Sequence, residues 1–123
     1  MREGEVDDLE VDHDLSDANT LALPSRAARF WRARTEGEVV QGLQLANEHG
    51  WEMTVLGGGS NVLFVKDYKG LICHMNIRGI SHLPGPGVVR ASCGENWHEF
   101  VSYCMNKSLH GYENLALIPG SIG

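Results

Sequence analysis

Three consecutive glycines, Gly57-Gly58-Gly59, stand between two apolar β-rich runs, Met53-Thr54-Val55-Leu56 and Val62-Leu63-Phe64-Val65, and this juxtaposition constrains the chain more than any other stretch. A loop without Cβ atoms reaches positive φ and brings its amide N–H groups close to another backbone or to a large anion. Ser60 and Asn61 follow with short side-chain donors beside those amides. Strand, bare loop, strand is the expected order, and the loop reads either as a tight turn or as a phosphate cradle. Two familiar nucleotide patterns are disfavoured. No lysine stands where Gly-x-x-x-x-Gly-Lys-Ser/Thr needs it, and Val62 to Val65 continues as a strand-like run where Gly-x-Gly-x-x-Gly would open a helix.

Upstream, Arg29 to Arg34 has the aromatic content of a first strand. Thr35 and Glu38 match a capping box, so a helix is expected from there, with Val39, Leu43 and Ala46 as its apolar face and Gly50 as its C-terminal cap. Downstream, Lys66 to Gly70 reads as a turn, Leu71 to Asn76 as a strand, and the Gly- and Pro-rich stretch Gly79 to Gly87 as an irregular loop. Val88 to Cys93 alternates like a half-exposed strand. Asn96 and Glu99 repeat the capping signature ahead of Trp97, Phe100, Val101 and Cys104, one face of a second helix running to about Lys107. The chain then runs through His110, Tyr112 and Glu113 into a second glycine-bearing loop, Ile118-Pro119-Gly120-Ser121-Ile122-Gly123.

Charge placement decides what the net −6 means. Residues 1–18 hold eight acids against Arg2, a net of −7, which leaves +1 for residues 19–123. The leader, residues 1–18, has little apolar surface and is expected to be mostly disordered. With 42% hydrophobic and 21% charged residues, the chain as a whole has the composition of a soluble globular protein, and no apolar run approaches a membrane span. No basic patch interleaved with aromatics points to nucleic acid. Cys73, Cys93 and Cys104 are widely spaced and odd in number, so reduced, mostly buried thiols are expected, without a metal site, and a cytoplasmic place follows by default.

Three stretches together resemble the amino-terminal part of the UDP-N-acetylenolpyruvoylglucosamine reductase (MurB) family. They are Leu56 to Leu63 with Asp67 and Gly70, Gly94-Glu95-Asn96-Trp97 at a helix start, and Glu113 to Gly123; Asn19-Thr20 fits the family's opening. The resemblance covers about residues 14–123. It implies an α+β FAD-binding fold of the vanillyl-alcohol-oxidase (PCMH) type, truncated, with a first FAD-binding subdomain at 19–76 and the start of a second at 77–123.

In that family FAD lies between the subdomains. The resemblance assigns cofactor contacts to Gly57, Gly58, Gly59, Ser60, Asn61 and Val62 on the pyrophosphate side, and to Ile118, Pro119, Gly120, Ser121 and Gly123 on the closing loop. Related enzymes that hold flavin covalently use a histidine in the first loop; Ser60 stands here, so noncovalent FAD is implied. The implied reaction is reduction of UDP-N-acetylglucosamine enolpyruvate to UDP-N-acetylmuramate with NADPH as hydride donor. It belongs to peptidoglycan synthesis, and with it to cell wall biogenesis, cell shape and division. The family's catalytic serine, arginine and glutamate lie beyond the matching stretch, so no catalytic residue is assigned and turnover by this chain alone is not expected.

Among tempting substitutes, His98 and Glu99 are better explained by helix capping and solvent than by acid–base work, and Cys93 and Cys104 by packing. Trp97 reads as a core residue. Two competing functions remain at this stage: a stand-alone nucleotide- or partner-binding module without redox chemistry, and a different FAD-linked oxidase of the same fold.

Overall fold

A computed structural model describes residues 9–123. Strand β1 (Leu9–Asp14), β2 (Arg26–Ala33), β3 (Met53–Leu56) and β4 (Tyr68–Met75) form one sheet in the order β1-β2-β4-β3. Strands β2, β4 and β3 are mutually parallel, and β1 runs antiparallel to β2. Strands β5 (Ile80–His82) and β6 (Val89–Ala91) form a separate hairpin. Helix α1 (Glu36–His49) connects β2 to β3, and α2 (Trp97–Asn106) follows the hairpin, giving the α+β class expected.

Both helix starts form as their sequences dictate. The Thr35 hydroxyl accepts the Glu38 N–H at 3.1 Å, and the Asn96 side chain accepts the Glu99 N–H at 3.0 Å. The Glu38 carboxylate reaches back to the Arg34 N–H, at 2.5 Å, one residue before the cap. Gly50 closes α1 in the left-handed region at φ +65°. The apolar face of α1 differs from expectation at Leu43, which is 53% exposed. Ala46 is buried and Val39 packs against the same cluster as expected, while Gly42 is buried where Leu43 is not, because the Trp31 indole lies directly under Gly42 and its ring nitrogen donates to the Glu38 carbonyl at 2.8 Å.

The sheet buries both faces. On the α1 side, Trp31, Ala33, Ala46, Leu71 and Cys73 pack together. On the other side Leu15, Ala27, Phe30, Leu56 and Ile72 form a second cluster. Each of the larger side chains contributes about 1.5–3 kcal/mol by leaving water.

Four expectations change. The acidic leader was expected to be disordered through residue 18, yet Leu9–Asp14 is a strand and Ser16–Ala18 a single 3-10 turn; residues 1–8 lie outside the described residues. Three of its acids have partners: Asp12 pairs with Arg26 at 2.7 Å, Glu10 with Arg32 at 3.5 Å, and Asp14 accepts from Ser16, which lowers its pKa. Leu15, fully buried, anchors the end of the segment.

Val62 to Val65 is not a strand. Because β4 lies parallel to β3, the connection must carry the chain back along the sheet before β4 can start, and only Phe64 of that run packs on the core. The strands expected over Arg29 to Arg34 and Leu71 to Asn76 extend over Arg26–Ala33 and Tyr68–Met75, each starting three residues earlier and ending one residue sooner. The stretch Gly79 to Gly87 contains β5, and Pro84 to Gly87 is the turn of its hairpin.

Among the described residues the thiols of Cys73, Cys93 and Cys104 are free; Cys73 and Cys104 are buried, and burial raises both pKa values. Among the same residues no helix is long and apolar enough to cross a membrane.

Candidate functional site

The glycine loop leaves the carboxyl end of β3, an edge strand, at the end of the sheet where crevices of parallel α/β folds form. Its position is fixed from below. Gly59 has φ +73°, and a Cβ there would collide with the carbonyl of Ala18, so only glycine fits. The Thr20 N–H donates to the Gly59 carbonyl at 3.1 Å. Asn19 holds that segment in turn: buried, it donates to the Leu15 and Leu23 carbonyls at 2.8 and 3.2 Å and accepts the Leu23 N–H at 3.1 Å.

The second loop is held by α2 and the turn before it. Trp97 N–H donates to the Gly120 carbonyl at 3.0 Å, Ile122 N–H to the Glu95 carbonyl at 2.9 Å, and Gly123 N–H to the Cys93 carbonyl at 3.0 Å. The Trp97 indole donates to the Leu115 carbonyl at 2.7 Å, and its ring packs with Phe100 and Tyr112. Trp97 is thus half-buried and works as a brace, where a core role was expected. His98 accepts the Leu117 N–H through Nδ1 at 3.2 Å, steadying a leucine with φ +63°, and Glu113 accepts the Gly111 N–H at 2.6 Å. These contacts account for His98 and Glu113 structurally. Glu99, beyond donating its N–H to the Asn96 cap, stands 3.8 Å from Arg78.

The two loops meet. A Cβ on Gly57 would lie 2.8 Å from the Ser121 hydroxyl, and one on Gly120 3.0 Å from the Ser60 hydroxyl. Between them is a cleft of about 180 Å³, lined from the loops by Gly57, Gly58, Ser60, Gly120 and Ser121. Of the other residues expected at the site, Gly59 lies beneath the loop, while Asn61, Val62, Ile118, Pro119 and Gly123 are outside the lining. Sequence reasoning missed Thr20, Gly94 and Asn96, and also His74, Met75, Asn76 and Arg78 at and after the end of β4. Thr20, Gly94 and Asn96 had a visible signal, standing within the motifs that carry the resemblance; His74 had none beyond its position within the strand pattern Leu71 to Asn76, and Arg78 none beyond its place just after it.

Apart from Met75, the described lining consists of small and polar residues with one guanidinium, Arg78, and one imidazole, His74. Arg78 is 3.5 Å from Glu95, whose carboxylate also accepts the Gly79 N–H at 2.6 Å. Among the described residues no carboxylate lines the cleft itself. His74 has a buried Nδ1 with no hydrogen-bond partner among the described residues. Burial lowers its pKa, with Arg32, Arg78 and His13 adding to the effect and the Gly57 backbone opposing it. Lined by glycine backbone, with a guanidinium and an imidazole in its wall, the cleft suits an anion such as a diphosphate. Its volume is smaller than the roughly 300–1,000 Å³ of a complete small-molecule pocket, so it would take a part of a dinucleotide and not the whole. No group of three or more His, Cys, Asp or Glu side chains among the described residues could hold a metal ion.

Fold and cleft together define an α+β protein whose two glycine-bearing loops confront each other across a small polar site. The chain belongs to the FAD binding domain family, whose model matches residues 27–123. It is similar to UDP-N-acetylenolpyruvoylglucosamine reductases: 38% identical to that of Pseudomonas fluorescens over 94% of this chain and 35% of the relative, and 41% identical to that of Dechloromonas aromatica over 89% and 32%. The Escherichia coli K12 reductase is 36% identical over 92% of this chain and 34% of the relative. The crystal structure of the Thermus caldophilus reductase (MurB) shares the fold, with a TM-score of 0.65 at 23% identity over 94% of this chain and 39% of that one. The chain spans about a third of the length of the curated relatives it matches.

Proposed function

We propose that this chain is the FAD-binding portion of an NADPH-dependent reductase that converts UDP-N-acetylglucosamine enolpyruvate to UDP-N-acetylmuramate. The observation that carries the reading is the confrontation of Gly57-Gly58 with Gly120-Ser121 across one cleft, on a chain 36–41% identical to reductases of that name. Residues 19–76 would form the first FAD-binding subdomain, lengthened by β1, and residues 77–123 the beginning of the second. Backbone amides of Gly57, Gly58 and Ser60 would receive the diphosphate, with Gly59 as the fixed base, Asn61 and Val62 at the margin, and Ile118 to Gly123 as the facing loop.

Bound noncovalently, the flavin supplies hydride transfer between NADPH and the enolpyruvyl ether. This chain's part is to grip and orient the cofactor, and the groups that protonate the product are assigned to none of its residues. A role in peptidoglycan synthesis, and through it in cell shape and division, and a cytoplasmic place rest on the same similarity.

Two measurements test the reading. Titrating the purified chain with FAD is expected to quench flavin fluorescence saturably and to shift the amide resonances of Gly57, Gly58, Ser60, Gly120 and Ser121. A chimera in which this chain replaces the matching third of the Escherichia coli reductase is expected to oxidise NADPH only when the UDP substrate is present. A folded chimera that holds FAD without any turnover would count against the reductase and in favour of a binding module or another oxidase.

A further inference from the structure

We propose that His74 is a cofactor-contacting residue of this cleft that takes up a proton as the dinucleotide's diphosphate enters, so that the affinity of the chain for FAD depends on pH. The inference rests on the reading of the cleft as the FAD site and adds to it a side chain outside both glycine loops. His74 is the penultimate residue of β4, in register between Arg32 of β2 and Leu56 of β3. Its ring stacks on Phe30 at a centroid separation of 5.7 Å, and Phe30 stacks in turn with His13 at 4.0 Å. The imidazole plane is therefore set by packing, before any ligand arrives.

His74 lines the cleft beside Gly57, Gly58, Gly120 and Ser121, while its buried Nδ1 has no hydrogen-bond partner among the described residues. A buried ring nitrogen is ordinarily satisfied, so one left without a partner in a residue that lines a polar cleft marks a ring with bonding capacity to spare for a ligand.

The surrounding charges set the direction of the effect. Arg32 from β2, Arg78 after β4 and His13 from β1 all disfavour the imidazolium, together with burial. Asp14 and Asp17 of the amino-terminal segment share with His74 a second, open depression. Glu10 engages Arg32 and His13, and Glu95 and Glu99 engage Arg78. A diphosphate in the cleft offsets the Arg78 charge and offers the ring an acceptor, and both changes favour the protonated ring. The pKa is then higher in the complex than in the free chain. Affinity is flat above the bound-state pKa, rises as pH falls between the two values, and is flat again below the free-state pKa. Each unit of difference corresponds to about a tenfold change in affinity.

The test combines the His74 ring resonances of the labelled chain, titrated with and without FAD, with FAD affinities between about pH 5.5 and about pH 8.5. The expected result is a raised His74 pKa in the complex and an affinity that climbs towards acid. His74→Phe, which keeps the stack on Phe30, and His74→Gln are expected to bind FAD without that slope, and His13→Gln is expected to retain it. If FAD shifts the Gly57 and Gly120 amides while the His74 pKa stays in place, or if His74→Phe keeps the slope, or if His13→Gln loses it, the inference is overturned and the FAD site stands. If neither FAD nor inorganic diphosphate moves those amides, the site reading itself fails and takes the inference with it.

Discussion

The backbone of Gly58 passes that of Gly120 so closely that a Cβ on Gly58 would stand 3.2 Å from the Gly120 Cα. The width of the cleft is thus set by two main chains, each fastened elsewhere: the first loop on Ala18 to Thr20, the second on the turn before α2.

Gly58→Val is expected to wedge the loops apart. Overpacking of this kind costs about 1–3 kcal/mol, and the loss should fall on the ligand-binding geometry more than on the sheet. FAD affinity should drop about tenfold for every 1.4 kcal/mol by which the cradle is disturbed. Flavin fluorescence titration beside a thermal melt reads the two effects separately, and an unchanged affinity in a folded variant would show that the contact is immaterial to binding.

A pair of glycines separates backbone conformation from close approach. Gly50 and Gly59 have similar torsions, φ +65° and +73°, but open space surrounds a Cβ on the first, and the Ala18 carbonyl blocks one on the second. Gly50→Ala is expected to cost about 1 kcal/mol, the conformational term alone. Gly59→Ala should cost at least about 3 kcal/mol, since backbone must move as well. Equal losses in urea unfolding would mean that the Ala18 contact relaxes freely.

Asn19→Ala leaves the carbonyls of Leu15 and Leu23 and the Leu23 N–H without their side-chain partner. Loss of about 1–3 kcal/mol is expected, with faster exchange of the Leu23 amide. Asn19→Asp keeps only the acceptor and should recover part of the loss at most. Unaltered exchange at Leu23 in the alanine variant would contradict the bracing role.

Stability should depend on pH through His74. Its pKa is lowered in the folded chain from an ordinary value of 6.5, by burial first and then by Arg32, Arg78 and His13. Below about 6.5 the unfolded chain therefore binds the proton more readily than the folded one. The stabilising contribution of the neutral ring is complete above that pH and declines as pH falls towards the folded-state value. The difference in unfolding free energy between wild type and His74→Phe isolates this term, and a difference that does not vary between about pH 7 and about pH 5 would contradict it.

The caps at Thr35 and Asn96 were legible because a cap is a contact between near neighbours in sequence. The two glycine loops were legible through motif resemblance, although periodicity alone left the first as a turn or a cradle. Strand β1 was hidden because its acids are balanced by Arg26 and Arg32, which composition counts in a different segment. Val62 to Val65 misled because an apolar β-rich run carries no mark of whether the next strand is parallel. His74 was invisible as a site residue for a related reason. A strand pattern places it on a face, but its unpartnered nitrogen arises only where β4, Phe30 and the Gly57 loop converge.

The contact between Ala18 and Gly59 also decides where the chain tolerates handling. An affinity tag or deletion that disturbs Leu15 to Thr20 would be transmitted directly to the floor of the glycine loop and be misread as a weak cofactor site. The turn at Gly85 and Gly87, where an added Cβ meets nothing within 4 Å, offers a safer point for a reporter dye or an inserted epitope.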